Sequence, residues 1–146
     1  MIVVGTWFEC DDGITRPVLE VHVGAADGTF VSENFLIDTG ADCTVLSAAL
    51  LTKLAQPTRA MSDVSGVGGR APVVEVETVL RIPGSDGRSL KIHGPFTAFA
   101  DPKATDLSIL GRDILDEVDL IVSRRREEVL LLYKDHAYRI EPDHSG

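Results

Sequence analysis

Residues 35–46 read FLIDTGADCTVL, and this stretch decides how the rest of the sequence is interpreted. The apolar residues 35–37 lead directly into the carboxylate Asp38, and Gly40 follows two positions later. A short apolar run predicts a buried strand, and a glycine permits a tight turn and the close approach of another backbone segment. The stretch therefore predicts an aspartate at the inner end of a strand. It occurs only once in the sequence.

Length and charge limit the classes of protein that this chain can represent. With 146 residues and a formal net charge of −9, the chain is predicted to form one domain, residues 1–146. It lacks the basic face that nucleic acid or an anionic membrane would require. No apolar run reaches membrane-spanning length, and the amino-terminal stretch lacks the basic residues and the length of a signal peptide. We therefore expect a cytoplasmic protein.

The cysteines and histidines give no sign of a disulfide framework or a metal site. Cys10 and Cys43 are too few for a secreted disulfide scaffold and are expected to be reduced thiols. The four histidines lack the spacing of metal ligands. We expect neither a metal ion nor a cofactor.

Signals for β-structure dominate the chain. Alternating or β-branched apolar runs predict strands at 2–8, 18–23, 30–37 (interrupted by the polar residues SEN, 32–34) and 90–100. The strand over 90–100 is predicted to break near Gly94 and Pro95. Residues 60–82 predict a long hairpin with the glycine-rich tip SGVGG, 65–69.

Two short helices are predicted between these strands. Ser47 is the expected N-cap of the first, in SAALLTKLAQP, and Pro57 ends it. The second follows the short strand LSIL and is indicated by the helical spacing of Ile114, Leu115 and Val118. Three further strands are predicted near the C-terminus, in DLIVS (119–123), EEVLLLY (127–133) and HAYRI (136–140).

Each of the short motifs has a purely structural interpretation when it is taken alone. Asp38 can be a turn aspartate that bonds its own backbone, and SGVGG can be a flexible loop. Arg112, where the second helix starts, can be a surface cation without a fixed partner. In the functional alternative, Asp38 is a catalytic acid, and the glycine-rich tip approaches a ligand. Arg112 then pairs with Asp42.

Taken together and in order, FLIDTGADCTVLS, SGVGGR and LSILGRDIL resemble the retropepsins, the aspartic proteases of retroviruses and their cellular and bacterial relatives. The resemblance extends over roughly residues 17–123. It implies a mostly β, single-lobe acid-protease fold, which is a closed β barrel with a flap hairpin and one or two short helices. It also implies that Asp38 is the catalytic aspartate, that Thr39 and Gly40 complete the active-site turn, and that Asp42 and Arg112 brace this turn as an ion pair.

The resemblance also implies a substrate cleft for extended polypeptide. Such a cleft binds peptide by strand-like main-chain hydrogen bonds, with alternate side chains in subsite pockets. The residues implied for substrate binding are Ala41 and Asp42 beside the turn and Gly66, Val67, Gly68 and Gly69 at the flap tip.

The single copy of the motif predicts a homodimer. Peptide hydrolysis of this type needs two carboxylates that share a proton, one to activate water and one to hydrogen-bond the scissile carbonyl. The sequence contains one such motif, so the second Asp38 is expected from a second chain across a two-fold axis. The alternative is a catalytically silent peptide-binding or dimerisation module with the same fold.

Two features depart from the retroviral pattern. The chain continues beyond the second helix with a C-terminal hairpin extension, about residues 119–140, which is expected to do the work of the interleaved chain ends of the retroviral enzymes. Pro72 follows the glycine-rich tip and removes a hydrogen-bond donor from one arm of the flap.

Overall fold

A computed structural model describes residues 1–61, 64–66, 69–133 and 142; for 64–66 and Arg70 only the backbone is described. Within these residues the strands are β1 (Ile2–Val4), β2 (Thr6–Glu9), β3 (Thr15–Gly24), β4 (Phe30–Ile37), β5 (Val45–Leu46), β6 (Thr58–Ala60), β7 (Val64–Gly66), β8 (Gly69–Ala71), β9 (Val73–Pro83), β10 (Ser89–Phe99), β11 (Ser108–Leu110), β12 (Asp119–Ser123) and β13 (Glu128–Leu132). The helices there are α1 (Ala48–Leu54) and α2 (Arg112–Leu115). None of the helices within the described part of the chain is both long enough and apolar enough to cross a bilayer.

Six strands form a closed β barrel, as the sequence predicts. Their order is β3-β4-β11-β5-β10-β9, and β9 pairs back onto β3 to close the ring. The closing seam pairs His22 with Arg81 and Val23 with Leu80. β2 adds to β3 and β6 adds to β9 outside this ring. The mostly β fold class and the two short helices are therefore confirmed.

The interior of the barrel is filled by the alternating apolar residues of its strands. In β9 the inward positions are Val76, Thr78, Leu80 and Ile82, all buried, as the period of two along a strand requires. The largest fully buried side chain is Phe35 of β4. Since β4 ends two residues later, the strand that leads to Asp38 is anchored by the core itself.

The predicted strand over 2–8 is wrong as a single element. The chain changes sheets at Gly5: β1 pairs with β13, whereas β2 pairs with β3. A Cβ atom at Gly5 would lie 2.5 Å from the Val18 carbonyl oxygen and 2.8 Å from a Val129 methyl carbon. Only glycine fits between these two neighbours, so the break is required by packing that is remote in sequence.

The predicted break at Gly94 and Pro95 is also wrong. β10 runs continuously from Ser89 to Phe99, with Gly94 opposite Thr78 and Pro95 opposite Glu77 on β9. On its other side β10 pairs with β5 only at Thr97 and Ala98. Pro95 therefore occupies a position with one paired neighbour, where its missing N–H group is tolerated.

The first helix forms where the sequence predicts it. The Ser47 hydroxyl accepts a hydrogen bond from the Leu50 N–H (3.1 Å), which caps α1, and the helix ends at Ala55 in the left-handed conformation. Helix α2 is shorter than predicted. Val118 lies outside it but still packs against the core.

The glycine-rich hairpin and the C-terminal hairpin complete the fold. β7 pairs with β8 and β6 pairs with β9, and Pro72 lies between β8 and β9. β12 and β13 form the predicted hairpin, and β1 joins it as a third strand. The predicted strand HAYRI falls outside the described residues.

Candidate active site

Asp38 occupies the first position after β4. Its backbone N–H donates to the carbonyl of Leu110 at the end of the parallel strand β11 (3.1 Å). Its Oδ1 atom accepts the N–H of Gly40 (2.9 Å), and its carbonyl accepts the N–H of Ala41 (3.2 Å). The carboxylate is half-buried, and Thr39 and Gly40 beside it are exposed. These bonds give Asp38 one fixed orientation with an exposed turn in front of it.

The turn is fastened to the segment that follows β11. The N–H of Arg112 donates to the carbonyl of Ala41 (2.8 Å), and the N–H of Asp113 donates to the carbonyl of Asp42 (3.2 Å). Together with the bond from Asp38 to Leu110, these contacts connect residues 38–42, which follow β4, to residues 110–113 at and after the end of β11. The position of Asp38 is thus determined by both halves of the sequence.

Gly111 makes this close approach possible. A Cβ atom at this position would lie 2.4 Å from both the carbonyl carbon and the carbonyl oxygen of Cys43. The Gly111 N–H also donates to the hydroxyl of Thr44 (3.1 Å). Any side chain at Gly111 would therefore push the active-site turn away from β11.

Asp113 and Thr44 form a second connection that the sequence interpretation missed. Oδ1 of Asp113 accepts both the backbone N–H (2.9 Å) and the hydroxyl (2.7 Å) of Thr44, a residue that is 1% exposed. The sequence signal was available, since a carboxylate in the first turn of a short helix is well placed to accept neighbouring donors. Its partner, however, lies 69 residues earlier.

Asp42 and Arg112 form an ion pair on the outer side of the turn. The Asp42 side chain is 85% exposed and that of Arg112 is 50% exposed in the single chain. Exposed pairs contribute little to stability, typically about 0–1 kcal/mol. In one isolated chain this pair is therefore a weaker brace than the bonds of Asp113.

Cys43 lies in the sequence between Asp42, which pairs with Arg112, and Thr44, which donates to Asp113. Burial raises the pKa of its thiol, and the negative charges of Asp113 and Asp42 raise it further, while a hydrogen bond with Thr97 acts in the opposite direction. The thiol is consequently kept in its neutral form at neutral pH. Cys43 also packs with Ile109 against a small apolar cluster of Val45, Val73 and Phe99 beside the turn.

The structure places the two described glycines of the predicted flap tip, Gly66 and Gly69, in a separate two-stranded sheet. Gly66 and Gly69 face each other across β7 and β8, and Gly69 has a positive φ of 106°. Val67 and Gly68 lie outside the described residues. Within the described ranges, no group of three His, Cys, Asp or Glu side chains could hold a metal ion.

Comparisons with known proteins identify the family. The family model of the retroviral aspartyl proteases matches residues 14–122, well over half of the sequence. This chain therefore belongs to the retroviral aspartyl protease family. A search of curated protein sequences finds no match.

Solved structures agree with this assignment. The EIAV protease complexed with the inhibitor HBY-793 is 29% identical, with a TM-score of 0.52 over 69% of this chain and 86% of the viral chain. A retropepsin-like aspartic protease from Rickettsia conorii is 15% identical, with a TM-score of 0.56 over 90% of this chain and 97% of the other. The second likeness concerns the fold alone. The predicted retropepsin-like identity is confirmed at the level of the family.

Proposed function

We propose that the protein is an aspartic endopeptidase that acts as a homodimer, with Asp38 of each chain forming the catalytic dyad. The observation that carries this proposal is the placement of Asp38. It follows a strand anchored in the core, has one oxygen fixed by the Gly40 N–H, and lies behind the exposed residues Thr39 and Gly40. A turn aspartate with a purely structural role would not need to be fixed by both halves of the chain.

The proposed chemistry is general acid–base catalysis by two carboxyl groups that share one proton. The ionised carboxylate removes a proton from a water molecule, whose oxygen attacks the scissile carbonyl carbon. The protonated carboxyl group donates a hydrogen bond to the carbonyl oxygen and stabilises the negative charge that develops there. Two carboxylates that face each other closely cannot both ionise easily, which is why the pair retains the shared proton. Because the sequence holds one Asp-Thr-Gly motif, the second carboxylate is assigned to a second copy.

The proposed substrate is an extended polypeptide. The glycine-rich hairpin with Gly66 and Gly69 supplies backbone groups that can pair with a peptide in the manner of an added strand. Val67 and Gly68 are assigned to the same flap tip. Ala41 and Asp42, which follow the catalytic turn, are assigned to the floor of the cleft.

Asp42 and Arg112 are assigned to the support of the active-site turn, in the dimer as well as in the single chain. We also treat residues 1–146 as one domain that includes the C-terminal extension, about residues 119–140. The pairing of β1 with β13, at opposite ends of the sequence, supports this assignment. The reaction requires neither a metal ion nor a cofactor. We place the protein in the cytoplasm, where its free thiols Cys10 and Cys43 would stay reduced.

One combined experiment tests the proposal. The purified protein is examined by sedimentation equilibrium at micromolar concentration, with and without a statine-type transition-state analogue. It is also incubated with a diverse peptide library at acidic and neutral pH. We expect a dimer that cleaves peptides and is inhibited by the analogue. A permanent monomer would contradict the dyad. A dimer that neither cleaves peptides nor binds the analogue would instead be the silent peptide-binding or dimerisation module.

A further inference from the structure

Glu33 is a carboxylate on the core-facing side of a barrel strand. It lies on the same face of β4 as Phe35 and Ile37, which are both buried, and it is itself half-buried. The sequence shows this position only as part of the polar interruption SEN within an apolar strand. A carboxylate in such a place is costly unless hydrogen-bond donors satisfy it. The groups that donate hydrogen bonds to Glu33 therefore indicate its role.

Two serines on neighbouring elements donate to Glu33. The buried Ser108 hydroxyl forms a short hydrogen bond to Oε2, and the buried Ser47 hydroxyl lies 3.3 Å from Oε2 and 3.4 Å from Oε1. The Ser108 oxygen in turn accepts the backbone N–H of Ser47 (2.9 Å). The carboxylate and the two serines thus form a closed circuit of hydrogen bonds, in which Glu33 accepts from both serine hydroxyls.

This circuit joins the three chain segments that carry the active-site turn. Glu33 lies on β4, which leads into the turn, and Ser47 directly follows β5, which leaves it. Ser108 begins β11, the strand between β4 and β5 in the barrel order. Two residues further along β11, the Leu110 carbonyl accepts the N–H of Asp38. The Glu33 side chain therefore links the three segments in addition to the backbone pairing of β4 with β11 and of β11 with β5.

We propose that Glu33 is a positioning residue for Asp38, and that its carboxyl group acts through Ser108 and β11. The inference deepens the proposed protease function and rests on it for its catalytic consequence. The anchoring of Asp38 itself can be measured without any enzymatic activity.

The test uses Glu33→Gln, which keeps the shape of the side chain but replaces one acceptor oxygen by a donor amide. One serine hydroxyl then loses its acceptor. We expect kcat to fall about tenfold with KM nearly unchanged, since the loss of a hydrogen bond to a charged group has roughly this effect. Amide hydrogen exchange at Asp38, followed by NMR, should accelerate to a similar degree because its bond to Leu110 loosens.

Two further variants make the result decisive. Ser108→Ala removes the hydroxyl that contacts Glu33 and should change the same two quantities, with little additional effect in the double variant. Glu77→Gln, on an exposed position of β9, is the matched control and should change neither quantity.

A lower melting temperature of Glu33→Gln with unchanged exchange at Asp38 would overturn the proposal, because Glu33 would then serve stability alone. If the wild-type protein does not cleave peptides, the protease function fails. The exchange rates of the variants then still decide whether Glu33 anchors Asp38.

Discussion

The two sides of the active-site turn differ in both burial and bonding. On the front, which we define as residues 38–42, Thr39, Gly40 and Asp42 are exposed, and Asp42 forms an ion pair with Arg112. On the back, defined as Thr44, Gly111 and Asp113, Thr44 and Gly111 are buried, Asp113 is exposed, and three hydrogen bonds connect the three residues. The front thus leaves Asp38 accessible to a substrate or a partner, whereas the back holds the turn on the barrel.

This difference predicts that changes on the front alter chemistry and changes on the back alter stability. The two sides are covalently continuous, and Asp38 is separated from Thr44 by only five residues. Variants on each side can therefore test whether the front determines activity and the back determines stability.

The largest expected effect is that of Asp38→Asn on activity. Asparagine keeps the oxygen that accepts the Gly40 N–H, so the fold should be retained, but it cannot share a proton as a carboxyl group does. We expect peptide cleavage to fall on the order of 10³-fold or more, as for other essential catalytic groups. Steady-state kinetics and circular dichroism measure the two properties.

Asp27→Asn is the matched control for this variant. Asp27 accepts the N–H of Thr29, two residues ahead, in the same manner as Asp38 accepts that of Gly40, but on a hairpin turn outside the active site. Its replacement should leave the cleavage rate unchanged. Wild-type cleavage by Asp38→Asn would remove Asp38 from the mechanism.

The largest expected loss of stability comes from Gly111→Ala on the back. The added methyl group would meet the Cys43 backbone, which cannot move aside as a flexible side chain could. Overpacking of this kind costs about 3 kcal/mol. Gly94→Ala is the control, since nothing lies within 4 Å of a Cβ atom there. Urea denaturation of both variants measures the difference, and equal midpoints would show that the turn can move away from Gly111 freely.

The sequence predicts those parts of this region that depend on local pattern. The strand Phe30–Ile37, the N-cap Ser47 and the short strand before Gly111 follow from periodicity and capping preferences, and the structure confirms them. The contacts of Gly5 and Asp113 were not predictable in the same way, because their neighbours lie more than sixty residues away or on another sheet. The role of Glu33 was not predictable for the same reason, because its partner Ser108 lies 75 residues away and comes close only when β4 and β11 pair.

Two side chains that contact this turn from helix α2, those of Asp113 and Arg112, can be compared directly. Asp113→Ala leaves two donors of the buried Thr44 without a partner, which should cost about 2 kcal/mol. Arg112→Ala removes an exposed ion pair and should cost at most about 1 kcal/mol in a single chain. Thermal or urea unfolding of both variants, under dimeric and monomeric conditions, shows which of the two loses more stability.

The reverse order would contradict the assignment of stability to the back of the turn. A cost of Arg112→Ala that grows on dimerisation would sharpen the comparison, because it would mean that a partner chain covers the Asp42–Arg112 pair and shields it from water.

The smallest expected effect concerns the reactivity of Cys43, which lies between the two sides. Burial and the charges of Asp113 and Asp42 raise the pKa of its thiol, so the thiolate fraction at a fixed neutral pH is reduced. Asp113→Asn keeps an oxygen for Thr44 but removes one negative charge. The pKa of Cys43 should fall, and alkylation by iodoacetamide at constant pH should become measurably faster, because the thiolate is the nucleophile.

Peptide mass spectrometry separates Cys43 from Cys10 in this measurement, and Asp116→Asn, at the C-cap of α2, is the charge-matched control. Asp42→Asn should accelerate alkylation less than Asp113→Asn, because the charge of Asp113 raises the pKa of the Cys43 thiol more than the charge of Asp42 does. Equal acceleration by the Asp42 and Asp113 variants would mean that solvent screens the charge of Asp42 no more than that of Asp113. That result would favour an active-site turn covered by a partner chain or a closed flap in solution.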